Sequence, residues 1–308
     1  MSRSAILETF TIQSEFYLPL SIAKALDLSA SLERLLAKNQ TVSSLSSYGL
    51  HNRKRAGLGE RFWQYRAYEI GEDANKIDWR RSARGDQLYV KEKEFESLRD
   101  YYIWIDCAAS MKFVSTLGQD DKLTRSINFG VAIADLLLRS GDRVGLLGSS
   151  APSSSRATLD KIIHQLEENI SNNFTSAVPL LNKPSKRSKI IIISDFLNNS
   201  ANLKDTLKYY ADFEISGLVV MINDPCEVEF PFSGETQFFS IENNQEYYAG
   251  DAELVAEQYH KIFEKHKLQI KETAIENRFQ YYHHVTNQSV DAAGHDIVES
   301  LSFCLADI

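Results

Sequence analysis

The chain has 308 residues, of which 43% are hydrophobic, 25% charged and 11% aromatic, and its 34 basic and 42 acidic side chains give a net charge of −8. This composition is typical of a globular protein and excludes a disordered or fibrous chain. The longest aliphatic runs are far shorter than the ~20 apolar residues that span a bilayer, so we expect no membrane span. The acidic balance also argues against a chain devoted to nucleic acid.

The start of the sequence and its cysteines bear on the compartment. MSRSAILETF lacks a basic stretch that leads into an apolar segment, so we expect no secretory signal. Cys107, Cys226 and Cys304 form no CxxC pair, and their odd number fits a reducing compartment. We therefore expect a cytoplasmic protein.

The first predicted elements form an N-terminal helical segment, residues 1–50. Between Phe16 and Lys38, leucine and isoleucine recur mostly at helical spacing, which predicts one or two helices. The next segment, residues 51–99, is basic, with eleven Lys or Arg against seven Asp or Glu between Arg53 and Lys93. Its interleaved aromatics and glycines predict short strands and loops, and therefore a small β-rich unit.

From about residue 100 to 308, strand and helix patterns alternate. The strand-like runs are YYIWID, RVGLLG, KIIIISD, GLVVMI and FQYYHHV. The helical runs are Lys122 to Arg139, Thr158 to Asn169, Thr175 to Leu181, Leu203 to Phe213, Ala252 to Ile275 and Val290 to Leu305. Continuous aliphatic strands that alternate with helices predict an α/β fold with a doubly wound, mostly parallel sheet.

Two acids follow predicted strands directly, Asp106 after YYIWI and Asp195 after IIIIS. A carboxylate at the end of a buried strand costs free energy unless a cation, a helix N-terminus or hydrogen bonds satisfy it. Folds of this class bind ligands at the carboxyl ends of their strands. Both positions are therefore candidate site residues.

The segment DCAASM resembles the D-x-S-x-S opening of the metal-ion-dependent adhesion site of von Willebrand factor A domains. The resemblance implies that Asp106, Ser110, Thr175 and Asp195 hold a divalent cation, and Mg²⁺ prefers such oxygen ligands. Ala108 stands where the family has its first ligating serine. The alternative is a degenerate site whose carboxylates cap neighbouring helices.

Upstream, RAYEIGEDANKIDWRRSARGDQLYVKEKEFE resembles the signature of domain-of-unknown-function family 58. The resemblance implies a von Willebrand factor A-type domain preceded by a small β-rich segment. Members of this family are commonly encoded beside MoxR-type AAA+ ATPases, which implies a role in chaperone-like assembly or maturation of other proteins. No enzymatic reaction is established for the family.

The charged and aromatic residues of this signature allow two interpretations. One is a surface that docks a partner or binds an anion, and the other is a buried network in which Asp78 pairs with an arginine and Trp79 anchors the small unit. The residues concerned are Arg66, Asp73, Asp78, Trp79, Arg80, Ser82 and Arg84.

These patterns support three functional hypotheses. The first is a non-enzymatic protein-binding module, a divalent-cation-dependent adaptor whose partner is a MoxR-type AAA+ ATPase or its client. The second is a hydrolase in which the same cation activates water, which would need a general base that the sequence does not identify. The third is nucleic-acid binding through the basic residues between Arg53 and Arg84.

Overall fold

The computed structural model describes residues 18–38, 56–69, 73, 77–83, 85, 87–94, 99–172, 178–181, 188–197, 200–239 and 245–306. By its internal contacts the chain divides into two compact units, a large one from residues 1–36 and 99–308 and a small one from residues 37–98. None of the helices within these ranges combines the length and the apolar character needed to cross a membrane.

The elements are numbered in chain order. They are α1 (Leu18–Lys38), β1 (Ala56–Ala67), α2 (Trp79–Ser82), β2 (Tyr89–Glu94), β3 (Asp100–Ile105), α3 (Lys122–Arg139), β4 (Arg143–Leu146), α4 (Ala157–Ser171), β5 (Lys189–Ser194), α5 (Ser200–Asp212), β6 (Ser216–Asn223), α6 (Pro225–Glu229), β7 (Thr236–Phe239), β8 (Glu246–Ala249), α7 (Ala252–Glu276), β9 (Phe279–Val285) and α8 (Val290–Ala306). A single 3-10 turn, Ala109–Lys112, follows β3.

The large unit is built on a parallel sheet whose described strands lie in the order β4-β3-β5-β6-β9. The chain leaves β3 toward one edge of the sheet and, after β4, crosses to the other side of β3 to form β5. The crevice at the carboxyl ends of β3 and β5 is therefore the topological switch point, where open α/β sheets bind their ligands. The predicted doubly wound parallel sheet is confirmed.

Burial on both faces explains why the strands are continuously aliphatic. Ile190 and Ile192 of β5 pack in a cluster with Leu207 of α5 and Phe263 of α7. The intervening isoleucines of β5 are equally buried and point to the opposite face, because side chains alternate along a strand. On that second face α3 approaches closely at Gly130, where an added Cβ would lie 2.6 Å from Ile105 Cδ1.

Glycine 217 sets the spacing between β5 and β6. A Cβ built on Gly217 would lie 1.8 Å from the carbonyl oxygen of Ile190 on the neighbouring strand. Only a residue without a side chain allows the two backbones to pair there.

Helix α1 belongs to the large unit although it precedes the small one in sequence. Ser29 Oγ donates to Asp135 Oδ2 of α3 at 2.7 Å. Leu28 and Leu32 are buried, and they lie within van der Waals distance of the Cβ position of Gly294 on α8. The helix thus packs on the pair formed by α3 and α8.

Two features differ from the sequence-based expectations. The helix expected over Thr175 to Leu181 is absent from its described part, residues 178–181, which has no regular secondary structure, and the rest of it lies outside the described residues. The antiparallel hairpin of β7 and β8 was not predicted at all. Its strands have four residues each, too few for an alternating pattern to stand out.

Candidate functional site

The site begins with the two predicted strand-end acids, which the sheet brings side by side. Ile105 and Ile193 are register partners, and Asp106 N donates to the carbonyl of Ile193 at 2.9 Å. Asp106 is buried, and its Oδ2 accepts a 2.7 Å hydrogen bond from Ser194 Oγ while its Oδ1 accepts one from Ala108 N at 2.9 Å. This carboxylate is therefore held in place by both neighbouring strand ends.

A buried lysine stands beside Asp195. Lys122 is the first residue of α3 and exposes 0% of its surface. Its Nζ donates to Asp195 Oδ2 at 2.8 Å and to Glu227 Oε1 at 2.5 Å. Burial alone would lower the pKa of Lys122, but the carboxylates of Glu227 and Asp195 outweigh it and raise that pKa above its usual range. The ammonium is thus a permanent cation at the switch point.

The end of β6 supplies the remaining acids. Asp224 caps α6 by accepting from Cys226 N, and Glu227 Oε2 accepts in return from Asp224 N at 3.0 Å, which forms a capping box. The second carboxylate oxygen of Asp224 accepts from Ser115 N at 2.9 Å. This bond ties the loop after β3 to the end of β6, so the ends of β3, β5 and β6 form one hydrogen-bonded floor.

The carboxylates expected to hold Mg²⁺ already accept protein hydrogen bonds as they are arranged. Both oxygens of Asp106 accept protein hydrogen bonds, and those of Asp195 accept from Lys122 and from the backbone of residue 197. Ala108 offers no side-chain oxygen, and Thr175 lies outside the described residues. Ser110 Oγ, which is buried and has no hydrogen-bond partner among the described residues, is the single atom that matches the expectation. Lys122 places a positive charge beside Asp195.

A mostly apolar cavity of about 460 Å³ opens beside this floor, at the ends of β3 and β4. Cys107 contributes to its wall, and burial raises the pKa of that thiol to about 12. The thiol is protonated at neutral pH, so it is no nucleophile. Other residues of the wall are Trp104, Leu146, Leu147, Asn169, Val178 and Pro179.

In the small unit, two residues of the signature have structural roles. Asp78 caps α2, with Oδ1 accepting from Arg81 N at 3.0 Å and Oδ2 from the Tyr65 hydroxyl at 3.2 Å. Ser82 is buried, donates to the carbonyl of Asp78 and accepts from Tyr89 N, both at 2.9 Å. The guanidinium of Arg81 lies over the Tyr65 ring, 4.7 Å from its centre. Asp78 is thus held by a backbone and a hydroxyl donor, and its expected ion pair with an arginine stays a prediction.

The other signature residues are more exposed. Trp79 exposes 62% of its surface, so its expected burial is wrong: α2 turns Ser82 inward and the indole outward. Arg80 and Asp73 are also exposed, and Arg66 is half-buried. Arg84 lies outside the described residues.

Reasoning from the sequence missed Lys122, Ser194, Asp224 and Glu227. The motif D-P-C-E after GLVVMI could have identified the capping box, since an acid at N-cap and a Glu three residues later are its usual signal. For Lys122 the sequence carries no such signal. A lysine is almost never fully buried unless it is paired, and the carboxylates that pair with Lys122 are distant in sequence.

Comparison with known proteins defines the family. The model of the family described as protein of unknown function DUF58 matches residues 64–269. The chain belongs to this family. Among curated relatives of this DUF58 protein, uncharacterized proteins of Mycobacterium tuberculosis and Mycobacterium bovis are 23% identical over 193 residues. The match covers 58% of this chain and 60% of those proteins.

Several solved structures resemble this DUF58 protein, among them two from Bacteroides and one von Willebrand factor A domain. An aerotolerance-related membrane protein of Bacteroides fragilis has a TM-score of 0.41 at 14% identity, and BatB of Bacteroides thetaiotaomicron has 0.36 at 15%; each match covers 67% of this chain and 99% of the other. The von Willebrand factor A domain of SpRpn10 has a TM-score of 0.32 at 10% identity, covering 65% of this chain and 94% of that domain.

Proposed function

We propose that the large unit is a non-enzymatic module that binds a protein at the carboxyl edge of its sheet. The observation that carries this proposal is a set of exposed leucines around a floor of paired charges. Leu117 and Leu197 lie in loops at this edge and expose 46% and 41% of their surfaces. Apolar side chains around a rigid polar centre are typical of a protein-recognition surface.

The electrostatics of the floor favour binding over catalysis. A general acid or base works best with a pKa near the operating pH, whereas the raised pKa of Lys122 keeps its ammonium charged. We therefore propose that the contact needs no divalent cation, because Lys122 already neutralises Asp195. Mg²⁺ binding by Asp106, Ser110, Thr175 and Asp195 stays a prediction that the experiments below decide.

The partner that we propose is a MoxR-type AAA+ ATPase or its client, as the family resemblance implies. The protein would then act as an adaptor in assembly or maturation of other proteins, in the cytoplasm. The free, buried thiols of Cys107 and Cys226 support a reducing compartment.

The test is direct binding of the full chain to the purified MoxR-type ATPase of the source organism, by biolayer interferometry without nucleotide. Omitting nucleotide makes EDTA act on the adaptor rather than on the ATPase's own magnesium. We expect Leu117→Ser and Leu197→Ser to weaken binding at least tenfold, whereas Ile275→Ser, equally exposed near the end of α7, leaves it unchanged. EDTA should have no effect.

Other outcomes reject separate parts of the proposal. Loss of binding in EDTA would restore the cation-dependent mechanism. No binding to the ATPase would reject the ATPase as the direct partner, and equal weakening by all three variants would reject the carboxyl edge as the binding surface.

A further inference from the structure

The hairpin of β7 and β8 has an inner and an outer aromatic layer. On its inner face Phe238 and Tyr247 are register partners with ring centres 6.3 Å apart, and Tyr247 is still 57% exposed. Phe238 also stacks on Phe230 at 5.6 Å and meets the edge of Phe232 at 5.0 Å. Phe230 in turn packs on Tyr259 of α7. These contacts fix the hairpin on the large unit without using its outer face.

The outer face carries Phe239 and Tyr248, each 62% exposed. Phe239 is paired in register with Glu246, and Tyr248 with Gln237, so the two rings are diagonal neighbours on one face. Gln237 donates to Glu246 at 3.0 Å, which holds that carboxylate beside the rings. Exposed aromatic side chains that a hairpin does not need for its own packing are a signal for binding.

The hairpin and its flanking residues are acidic in sequence. Between Phe230 and Lys261 the sequence has six Asp or Glu and no Lys or Arg. Glu235 lies close enough to raise the pKa of the exposed Tyr248 phenol through its charge. Asp251 and Glu253 follow the hairpin and are exposed. The face therefore combines aromatic rings with carboxylates and lacks a competing cation of its own among the described residues.

We propose that this outer face docks an arginine-containing segment of a partner protein. A guanidinium can stack flat on Phe239 or Tyr248 while it pairs with a neighbouring carboxylate, whereas a lysine ammonium is a hydrated point charge that does this less well. The occupant is a basic peptide rather than an apolar one. An apolar partner would remove water from the surrounding carboxylates and offer them neither a charge nor a hydrogen bond in return. The inference concerns the hairpin alone and does not depend on the adaptor role.

The test uses the full chain and a fluorescein-labelled peptide, GRGRGRG, in anisotropy titrations at low salt. Matched peptides replace arginine with lysine or with citrulline, which keeps the shape and removes the charge. We expect the arginine peptide to bind at least fivefold more tightly than the lysine peptide and the citrulline peptide not to bind. Equal binding of the citrulline peptide would overturn the proposal.

Variants locate the binding site. Phe239→Leu/Tyr248→Leu keeps the apolar surface and removes the π faces, and Glu235→Gln/Glu246→Gln removes two charges, so each should weaken binding at least fivefold. Phe213→Leu/Ile275→Leu and Glu167→Gln/Glu168→Gln are controls at exposed positions elsewhere. If the controls weaken binding as much, the peptide binds the acidic chain without a defined site and the proposal is wrong.

Discussion

The buried ammonium of Lys122 should be one of the most costly side chains in the protein to remove. In Lys122→Met a side chain of similar length fills the same space, so the variant loses the positive charge and keeps most of the volume. Asp195 and Glu227, which are 2% and 16% exposed, would then face each other without a cation. Removing one partner of a buried ion pair costs about 3–5 kcal/mol, and two carboxylates at 2.8 and 2.5 Å place this variant toward the upper end.

The cost is measurable as a shift in the thermal midpoint. One kcal/mol corresponds to roughly 2–4 °C for a domain of 150–250 residues, so we expect Lys122→Met to unfold more than about 10 °C below the parent protein. Lys261→Met is the matched control: its partner Glu257 is 82% exposed, and surface pairs of this kind are worth about 0–1 kcal/mol. The double variant Lys122→Met/Glu227→Gln removes one of the two stranded charges and should recover part of the loss.

Adding MgCl₂ to the same melts tests the metal prediction. The parent protein should not shift, because its strand-end carboxylates already have partners. Lys122→Met frees those carboxylates, and a cation at 100 times its Kd would stabilise the variant by about 2.7 kcal/mol. A cost below about 1 kcal/mol for Lys122→Met would refute the buried ion pair, and a Mg²⁺-dependent shift in the parent protein would refute the substitution of metal by ammonium.

Three further predictions concern single residues. Burial raises the pKa of Asp142 to about 7 against the lowering effect of Arg99, so the folded state keeps a proton that the unfolded state loses above pH 4. Asp142→Asn should therefore stabilise the protein by an amount that grows from near zero at pH 4 to on the order of 2 kcal/mol above pH 7. Urea unfolding at both pH values measures this difference. Gly217→Ala should cost at least about 3 kcal/mol in the same assay, because the added Cβ meets the backbone of β5, and a normal midpoint would contradict the close approach. Ser82→Ala breaks two hydrogen bonds, one within α2 to the carbonyl of Asp78 and one from Tyr89 N of β2, and should cost about 1–2 kcal/mol, whereas Ala83→Ser on the exposed side should cost nothing measurable.

The sequence predicted the parallel sheet because its strands are buried on both faces. The run from Ile190 to Ile193 has no polar position, which only a central strand covered by two helix layers tolerates. The adjacency of Asp106 and Asp195 also followed, since the carboxyl ends of neighbouring parallel strands meet at one edge. The first inference depends on the aliphatic pattern of a single strand, and the second also on the rule that neighbouring parallel strands end at the same edge of the sheet.

What could not be predicted depends on contacts between distant elements. Lys122 is 73 residues from Asp195 and 105 from Glu227, and nothing near it in sequence distinguishes it from a solvated lysine. The aromatic hairpin was missed because its strands are short and its inner face packs on Phe230 and Phe232, which lie outside them. The exposed indole of Trp79 was misjudged because tryptophan is usually at least partly buried.

The packing of α1 has a consequence for how the protein is made. The ribosome completes this helix before any strand of the large sheet, yet Leu28 and Leu32 lie against Gly294 on α8, which follows every one of those strands. Until α8 emerges, only α3 is available to cover the apolar side of α1. The final docking of α1 therefore joins the two elements of the large unit that are farthest apart in sequence. Contacts of such high sequence separation form slowly and leave intermediates open to aggregation. The docking of α1 is therefore a late step in folding, and until it is complete Leu28 and Leu32 are left without their contact on α8.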